Sequence, residues 1–265
     1  MGRTGRNKAD LFQPLSILVK AHPWHGVSIG EEAPEVVTTF VEIVPSDTVK
    51  YELDKTTGLL KIDRPQQYSN VCPTPYGFIP QTLCAEKVGA LCSLRTGRAG
   101  IVGDGDPMDI CVLTEKDITH GNILVQAIPI GGLRMLDGSE ADDKILAVLR
   151  DDVAFGSWRD ISDCPAPLLD RLRHYFLTYK QSPDRIATPC EITHVYGREE
   201  AFEVIRRSHE DYRDHFGSLT GLLASPDRMA GRRRATRNAA AGQGKVSGQG
   251  RLRQQRPRRP SNRGT

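Results

Sequence analysis

Six short stretches rich in β-branched and aliphatic residues lie between residues 38 and 149, and they constrain the fold more than any other feature of the chain. Each is four to eight residues long, which is the length of a strand. Two helical patterns follow them. This order predicts a mainly β, α+β fold in which helices pack outside a closed or partly closed β-barrel. The predicted strands are Thr38–Val44, Val49–Leu53, Leu59–Ile62, Ile110–Leu113, Ile123–Ile130 and Ile145–Leu149.

The two predicted helices lie at Ala166–Lys180 and at about Arg198–Phe216. In the first helix an apolar stripe recurs at helical spacing, and Lys180 falls in the last turn, where a cation suits the helix dipole. The stripe consists of Leu168, Leu169, Leu172, Phe176 and Tyr179. Two segments carry no such pattern. Residues 64–80 contain four prolines and predict an irregular loop, while residues 82–102 predict a surface insertion.

Charge is distributed unevenly along the chain. Eleven arginines and one lysine against one aspartate give residues 226–265 a net charge of +11, so that residues 1–225 carry −8 of the total of +3. The basic stretch has no apolar period, and such a composition cannot bury enough surface to offset its ordering entropy. We therefore predict an N-terminal extension at 1–37 packed on the body, a body at 38–223 and a disordered arginine-rich tail at 224–265.

Cysteine usage and hydropathy indicate the compartment. The six cysteines form no CxxC pair, and no histidine pair with zinc-ligand spacing lies near them. No stretch approaches the roughly 20 apolar residues that span a bilayer, and no secretory signal is visible. We expect reduced thiols and a cytoplasmic protein without membrane contact.

The segment Gly103–Asp109, with the sequence G-D-G-D-P-M-D, places three carboxylates within six residues. Carboxylates this close repel one another unless a cation lies between them, and clustered oxygen ligands suit Mg²⁺. An EF-hand loop that starts at Asp104 fails at Met108 and at Asp109, where the turn requires glycine. A solvated acidic turn remains the alternative for this motif taken alone.

A second acidic segment, Asp137–Lys144, leads into a predicted strand. Alternation along the strand places Asp142 and Lys144 on one face. Such a pair is either a plain surface ion pair, which contributes little, or a metal ligand beside a phosphate contact. The segment by itself does not decide between these two interpretations.

Two further motifs supply cations and phenols. Lys50 and Glu52 share a strand face by alternation, and Arg64 follows; a third cation, Lys180, comes directly after Tyr179. Together the four motifs describe one kind of site, in which carboxylates hold cations, basic side chains neutralise a polyanion and tyrosine hydroxyls donate hydrogen bonds to phosphoryl oxygens. That combination is typical of metal-assisted phosphoryl transfer to water.

The order of these motifs resembles the family I soluble inorganic pyrophosphatases. The order is E, K-x-E, D-R, P-x-x-Y-G, D-G-D-P-x-D, D-x₄-D-x-K and Y-K, and it runs from about Glu42 to Lys180 with nearly the family spacing. The N-terminal segment and residues 82–102 resemble a longer bacterial subgroup. The resemblance implies an OB-like five-stranded β-barrel with flanking helices, several Mg²⁺ ions per site with Mn²⁺ or Zn²⁺ as possible substitutes, and a homo-oligomer.

Carried over position by position, the resemblance implies three roles. The implied metal ligands are Asp104, Asp109, Asp137 and Asp142, with Glu42 and Glu52 as accessory acids. Asp106 matches the general base. The implied phosphate-binding residues are Lys50, Arg64, Tyr76, Lys144, Tyr179 and Lys180. One position departs from the family: Cys72 stands where a tyrosine is common, and a thiol is a poor replacement for a phenol donor.

Two other functions are open to such a chain. One is an OB-type module that binds nucleic acid or polyphosphate, to which the basic tail would add weak phosphate contacts, but a carboxylate-rich body of net charge −8 repels nucleic acid. Hydrolysis of a nucleotide or polyphosphate is the other function, and the chain lacks the GxxxxGK nucleotide cradle. We predict metal-dependent hydrolysis of inorganic diphosphate to two phosphates by a metal-activated water.

Overall fold

The computed structural model describes residues 20–181 and 190–217, and this part of the chain holds ten strands and three α-helices. A single 3₁₀ turn at Ile161–Asp163 precedes the second helix. The strands are β1 (Val37–Ile43), β2 (Val49–Leu53), β3 (Leu60–Pro65), β4 (Tyr76–Phe78), β5 (Val102–Gly103), β6 (Asp109–Leu113), β7 (Ile123–Asp137), β8 (Glu140–Ala141), β9 (Lys144–Leu149) and β10 (Cys190–Gly197). The helices are α1 (Glu86–Thr96), α2 (Ala166–Thr178) and α3 (Arg198–Phe216).

Five strands close into a ring in the order β1-β4-β6-β9-β7, and β7 pairs back to β1. Strands β6 and β9 run parallel, whereas the other four pairs in the ring are antiparallel. Closure pairs both edges of every strand in the ring. The ring with helices around it confirms the predicted mainly β fold built on five strands.

Strand β7 is longer than the sequence predicted, because it continues past Ile130 to Asp137. A register shift between Pro129 and Gly131 bends it, and its second half pairs with β8 and β10. Gly132 is required there, since a Cβ at that position would lie 2.4 Å from the Tyr196 ring. The extension places Asp137 at the end of the strand, beside β8.

Two expectations about irregular segments are wrong. Residues 64–80 include a ring strand, β4, which the prolines around it concealed. Residues 82–102 are not a surface insertion, because they contain α1, whose Val88, Leu91 and Cys92 are fully buried. These three positions have the i, i+3, i+4 spacing of a helix face that packs into a core.

The N-terminus of α1 is capped from a distant part of the chain. The α1 N-cap, Ala85, makes no side-chain cap bond. Instead the buried Asp211 carboxylate of α3 accepts hydrogen bonds from the backbone N–H groups of Ala85 and Val88 at 3.1 Å and of Lys87 at 3.0 Å. A carboxylate satisfies the free N–H groups of a helix start and suits its dipole.

Helix α2 ends at Thr178, so Lys180 lies two residues beyond the helix rather than in its last turn. The predicted apolar stripe packs as expected, with Leu172 and Phe176 buried and Tyr175 joining them. No helix in the described part of the chain is long and apolar enough to cross a bilayer. Residues 1–19 and the predicted tail at 224–265 lie outside the described residues.

Candidate active site

One cavity of about 400 Å³ collects every site residue that the sequence predicted. Its lining also includes two apolar side chains, one proline and three charged residues that the sequence analysis did not single out. The predicted residues in the lining are Glu42, Lys50, Glu52, Arg64, Tyr76, Asp104, Asp106, Asp109, Asp137, Asp142, Lys144, Tyr179 and Lys180. The charged residues that sequence reasoning missed are Lys55, Asp63 and Glu140.

The acidic loop between β5 and β6 is held by the segment that precedes α1. The backbone N–H of Cys84 donates to the Asp106 carbonyl at 2.8 Å, and the N–H of Gly105 donates to the Cys84 carbonyl at 2.9 Å. Within the loop, the N–H of Asp106 donates to Oδ1 of Asp104 at 2.9 Å. Met108 is fully buried and fixes the exit of the loop into β6. The loop therefore presents Asp104, Asp106 and Asp109 from a fixed backbone.

Lys144 lies between two of the predicted ligands. The parallel pairing of β6 and β9 places Asp109 beside Lys144. The Lys144 ammonium, 2 % exposed, pairs with both Asp109 and Asp142. Oη of Tyr76 donates to Oδ2 of Asp109 at 2.5 Å, which orients that carboxylate.

The end of α2 brings a second cation to the cavity. Nζ of Lys180 donates to Oδ2 of Asp137 at 2.6 Å. The same ammonium lies 5.3 Å from the centre of the Tyr179 ring. Lys180, two residues after α2, thus contacts the end of β7 directly.

The β2–β3 hairpin forms another part of the cavity wall. The register pairs Lys50 with Arg64. Asp63 bridges the two, accepting from Nζ of Lys50 at 3.1 Å and from Nη1 of Arg64 at 2.6 Å. Lys50 also reaches Glu52 at 3.3 Å, as strand alternation predicts. Glu42 is tied to this hairpin, because its Oε1 accepts from the Leu53 N–H at 2.7 Å.

Burial and mutual repulsion perturb the acids in this cavity. Burial raises the pKa of Glu42 to about 8, with the neighbouring Asp109 and Glu52 adding to the shift. Burial and the charges of Asp142 and Asp109 raise the pKa of Asp104 to about 8. Two carboxyls that hold a proton near neutral pH mark a place where positive charge is in deficit.

The pKa of Lys144, between the acids, is also raised, but for a lysine this shift favours the charged form. Burial on its own lowers the pKa of Lys144, but the charges of Asp109 and Asp142 outweigh it and raise the pKa well above its ordinary value. Burial raises the pKa of Asp142 although Lys144 opposes the shift. Burial likewise raises the pKa of Tyr76, so its phenol stays a donor at neutral pH.

Nine acidic and five basic side chains line the cavity, a formal excess of four negative charges. Among the described residues, however, no three acid, histidine or cysteine side chains are already arranged to hold a metal ion. Ammonium groups stand between the carboxylates instead: Lys144 on Asp109 and Asp142, and Lys180 on Asp137. The all-oxygen donor set and the negative excess fit hard divalent cations, which would displace these ammonium groups.

Cys72 does not line the cavity. Its side chain is 1 % exposed, and its thiol donates to the Thr74 carbonyl at 3.2 Å. Burial raises the pKa of this thiol to about 12, so it stays neutral. Cys72, where this chain departs from the family pattern, thus packs in the core beside Tyr175 and does not contact the predicted ligands.

Comparison with known proteins decides the family. A model of the inorganic pyrophosphatase family matches residues 39–213, the part of the chain that carries the ring and the cavity. The chain belongs to the inorganic pyrophosphatase family. It is 56 % identical over 203 residues to the inorganic pyrophosphatase of Chlamydia muridarum, which covers 75 % of this chain and 96 % of that one. It is 39 % identical to a soluble inorganic pyrophosphatase of rice, over 73 % of this chain and 80 % of that protein.

Solved structures agree with this assignment. The inorganic pyrophosphatase of Thermus thermophilus aligns with a TM-score of 0.62 and 30 % identity, over 73 % of this chain and 99 % of that one. Family membership makes this chain an enzyme that hydrolyses inorganic diphosphate. Nothing in these comparisons favours the alternative of a nucleic-acid-binding barrel.

Proposed function

We propose that diphosphate is hydrolysed in this cavity with the help of several bound divalent cations. Mg²⁺ is the proposed cofactor, and Mn²⁺ or Zn²⁺ can substitute for it. The observation that carries this proposal is the meeting of thirteen residues from separate elements in one cavity with four excess negative charges. At least two divalent cations would balance that excess. The cations would be held by Asp104, Asp109, Asp137 and Asp142, with Glu42 and Glu52 nearby. Bound there, they would supply charge neutralisation and lower the pKa of a water molecule.

Asp106 is the proposed general base. It is about half exposed, it lies in the same loop as two proposed metal ligands, and its backbone is fixed on both sides by Cys84 and Asp104. A carboxylate in this position would accept a proton from the attacking water. The described cavity wall holds no serine, cysteine or histidine, and the proposed route is direct attack by water without a phosphoenzyme.

The basic and phenolic side chains would bind the substrate. Lys50 and Arg64 form one wall, and Tyr179 and Lys180 face them. Each of these cations is paired with an acid in the described structure, as Lys180 is with Asp137. Metal ions bound by Asp137 would free the Lys180 ammonium group to donate to phosphoryl oxygens, where charge builds up in the transition state.

Two finer properties accompany the proposal. All six cysteines are free thiols, which suits the reducing conditions of the cytoplasm. The family resemblance implies a homo-oligomer, which light scattering of the purified full chain will check.

Parallel phosphate-release assays on diphosphate, tripolyphosphate and ATP with Mg²⁺ test the substrate assignment. Diphosphate should be turned over fastest, because a compact and highly charged cavity favours the smallest polyanion. Equal or faster hydrolysis of ATP would overturn this assignment.

Two isosteric variants test the site. Asp106→Asn should slow turnover by roughly 10²-fold or more while leaving Mg²⁺ affinity nearly unchanged. Asp109→Asn should also weaken Mg²⁺ binding, measured by calorimetry, because it removes a ligand charge. Wild-type rates in both variants would refute the assignment.

A further inference from the structure

The turn of the β2–β3 hairpin brings a lysine into the cavity that the predicted site does not include. Lys55 lies in this turn and lines the cavity, and its ammonium pairs with the Asp106 carboxylate. We propose that Lys55 is a further substrate-binding residue, whose ammonium exchanges the Asp106 carboxylate for a phosphate oxygen of diphosphate. The His22–Trp24 segment positions Lys55 for this contact. This inference rests on the proposed assignment of Asp106 and its neighbours as the active site.

The Lys55–Asp106 ion pair is exposed, so Lys55 can exchange Asp106 for another anionic partner at little cost. The Lys55 side chain is 43 % exposed and that of Asp106 is 47 % exposed, and an exposed ion pair contributes little to stability. Lys144 differs, because it is 2 % exposed and held between two acids. An incoming phosphate oxygen can therefore compete for the Lys55 ammonium at small cost.

The exchange also suits the chemistry of Asp106. Transfer of the ammonium to a phosphate oxygen adds a charge-assisted hydrogen bond to the substrate. It also removes the ion-pair partner that occupies the Asp106 carboxylate in the described structure.

The turn itself is well ordered by its own hydrogen bonds. Oδ1 of Asp54 accepts from the N–H of Thr57 at 2.9 Å and from its hydroxyl at 2.8 Å. The N–H of Gly58 donates to the Asp54 carbonyl at 2.8 Å. Gly58 has a φ of +72°, which a side chain would disfavour. Lys55 therefore extends from a turn that is closed by internal hydrogen bonds.

The His22 ring packs against this turn at Gly58. A Cβ on Gly58 would lie 2.8 Å from Cδ2 of His22, so turn and ring are in direct contact. Nδ1 of His22 accepts from the N–H groups of Trp24 at 3.2 Å and His25 at 3.4 Å, which leaves the ring proton on Nε2. Burial lowers the pKa of His22, while the backbone of Lys55 acts as an acceptor and raises it. That contact is loose, since Nε2 has no well-formed hydrogen bond among the described residues.

Trp24 anchors the support to the body of the enzyme. Its ring is 4 % exposed, and Nε1 donates to the Thr82 carbonyl at 2.7 Å. It packs in one cluster with Leu53 at the end of β2 and Tyr212 of α3. His22 and Trp24 together thereby support the turn that carries Lys55.

Three variants test Lys55 itself. With Mg²⁺ present, Lys55→Met should weaken the binding of methylenediphosphonate, a non-hydrolysable analogue, roughly tenfold or more in calorimetry and raise KM for diphosphate similarly. Lys55→Arg should recover most of the affinity, because it restores the charge. Lys116→Met, which removes an exposed lysine outside the cavity, is the matched control and should bind the analogue as wild type does.

Unchanged or tighter analogue binding by Lys55→Met, with a normal melting temperature, would overturn the proposal. Tighter binding would mean that Lys55 obstructs the cavity. The outcome is separable from failure of the site itself, because Asp109→Asn reports on the site independently. A strong Asp109→Asn defect together with a silent Lys55→Met would refute only the Lys55 inference.

The positioning role of His22 is tested by a double-mutant cycle. His22→Ala should raise KM several-fold in the wild-type background and should have no further effect in the Lys55→Met background, since it acts through Lys55. His22→Gln, a milder change, serves if His22→Ala melts too early. Equal increases in KM in both backgrounds would contradict positioning through Lys55.

Discussion

Glu42 and Asp104 are acids that hold a proton near neutral pH, because burial and neighbouring carboxylates raise the pKa of each to about 8. Their ordinary values are 4.5 and 3.8. The folded state therefore binds more protons than the unfolded state between those limits, and the stability of the metal-free protein should fall as pH rises from about 4 to 8. Divalent cations replace those protons, so they should stabilise the fold more at high pH.

Thermal melts with and without Mg²⁺ at pH 6 and pH 8 measure this linkage. We expect the increase in Tm caused by Mg²⁺ to be clearly larger at pH 8 than at pH 6. The Glu42→Gln and Asp104→Asn variants, which cannot titrate, should reduce that difference. A Mg²⁺-induced shift that is independent of pH would contradict the account of these two acids.

Cys72 is a packing residue although it stands where the family commonly has a tyrosine. Its thiol is buried beside Tyr175 and does not line the cavity. Cys72→Ala should therefore leave kcat and KM for diphosphate within about twofold of wild type and lower the free energy of unfolding by about 1 kcal/mol. Urea denaturation and steady-state kinetics check the two halves. A tenfold rise in KM would show that position 72 acts on the substrate.

Thirteen cavity residues could be predicted because the order of the motifs resembles that of a known family, which assigns their positions without any knowledge of distance. The sequence could not predict Lys55, because the residue lies in a turn, where strand alternation no longer tells which way a side chain points. Asp63 was missed for a different reason. Its bridge between Lys50 and Arg64 depends on the register of the β2–β3 hairpin, which the sequence pattern leaves open.

At the scale of elements, the segment Asp142–Lys144, which leads into β9, has charged side chains on two sides of the chain. Asp142 and Lys144 face the cavity, and Asp143 between them is fully buried on the other side. There it lies 3.0 Å from Nη1 of the fully buried Arg134 on β7, and Oη of Tyr196 donates to it at 3.0 Å. This pair fixes the segment that carries Asp142 and Lys144.

Breaking the Arg134–Asp143 pair should be costly. Arg134→Met leaves the buried Asp143 carboxylate uncompensated, and we expect it to lower the free energy of unfolding by about 3–5 kcal/mol. Asp143→Asn should cost less, because Arg134 keeps an ion pair with Glu200 at 2.7 Å. Arg98→Ala, which breaks the exposed pair of Arg98 with Glu191, is the matched control and should cost at most about 1 kcal/mol. Urea denaturation will measure all three; equal effects at both pairs would contradict the structural role of the buried one.

The elements that sequence patterns missed are those whose stability comes from distant residues. Helix α1 lacks its own cap, and Asp211 supplies one from more than a hundred positions along the chain. Strand β4 is three residues long and sits among prolines, so only its pairing with β1 and β6 defines it. Helix α3, with an apolar face of its own, was predicted at its observed bounds.

For the whole molecule, the separation of charge predicts two independent parts. The body of residues 1–225 carries −8 and the stretch 226–265 carries +11. A chain ended after Leu223 should hydrolyse diphosphate as fast as the full chain, since the cavity is complete within residues 20–181 and 190–217 as described. The full chain, and not the shortened one, should bind RNA or polyphosphate weakly at low salt and release it as salt rises.

Diphosphate turnover and filter binding at 50 and 200 mM salt compare the two chains. The shortened chain provides the control for polyanion contacts by the body. A large loss of turnover on truncation would mean that the tail contributes to the active site.

The central claim is that carboxylates from separate elements form one centre for divalent cations. A crystal structure with Mn²⁺ and phosphate, with anomalous scattering recorded at the manganese edge, tests it most directly. We predict at least two manganese peaks in the cavity, bonded to oxygens of Asp104, Asp109, Asp137 or Asp142, with the Lys144 ammonium no longer between its acids. Ordered phosphate without any manganese peak among these four carboxylates would contradict the claim.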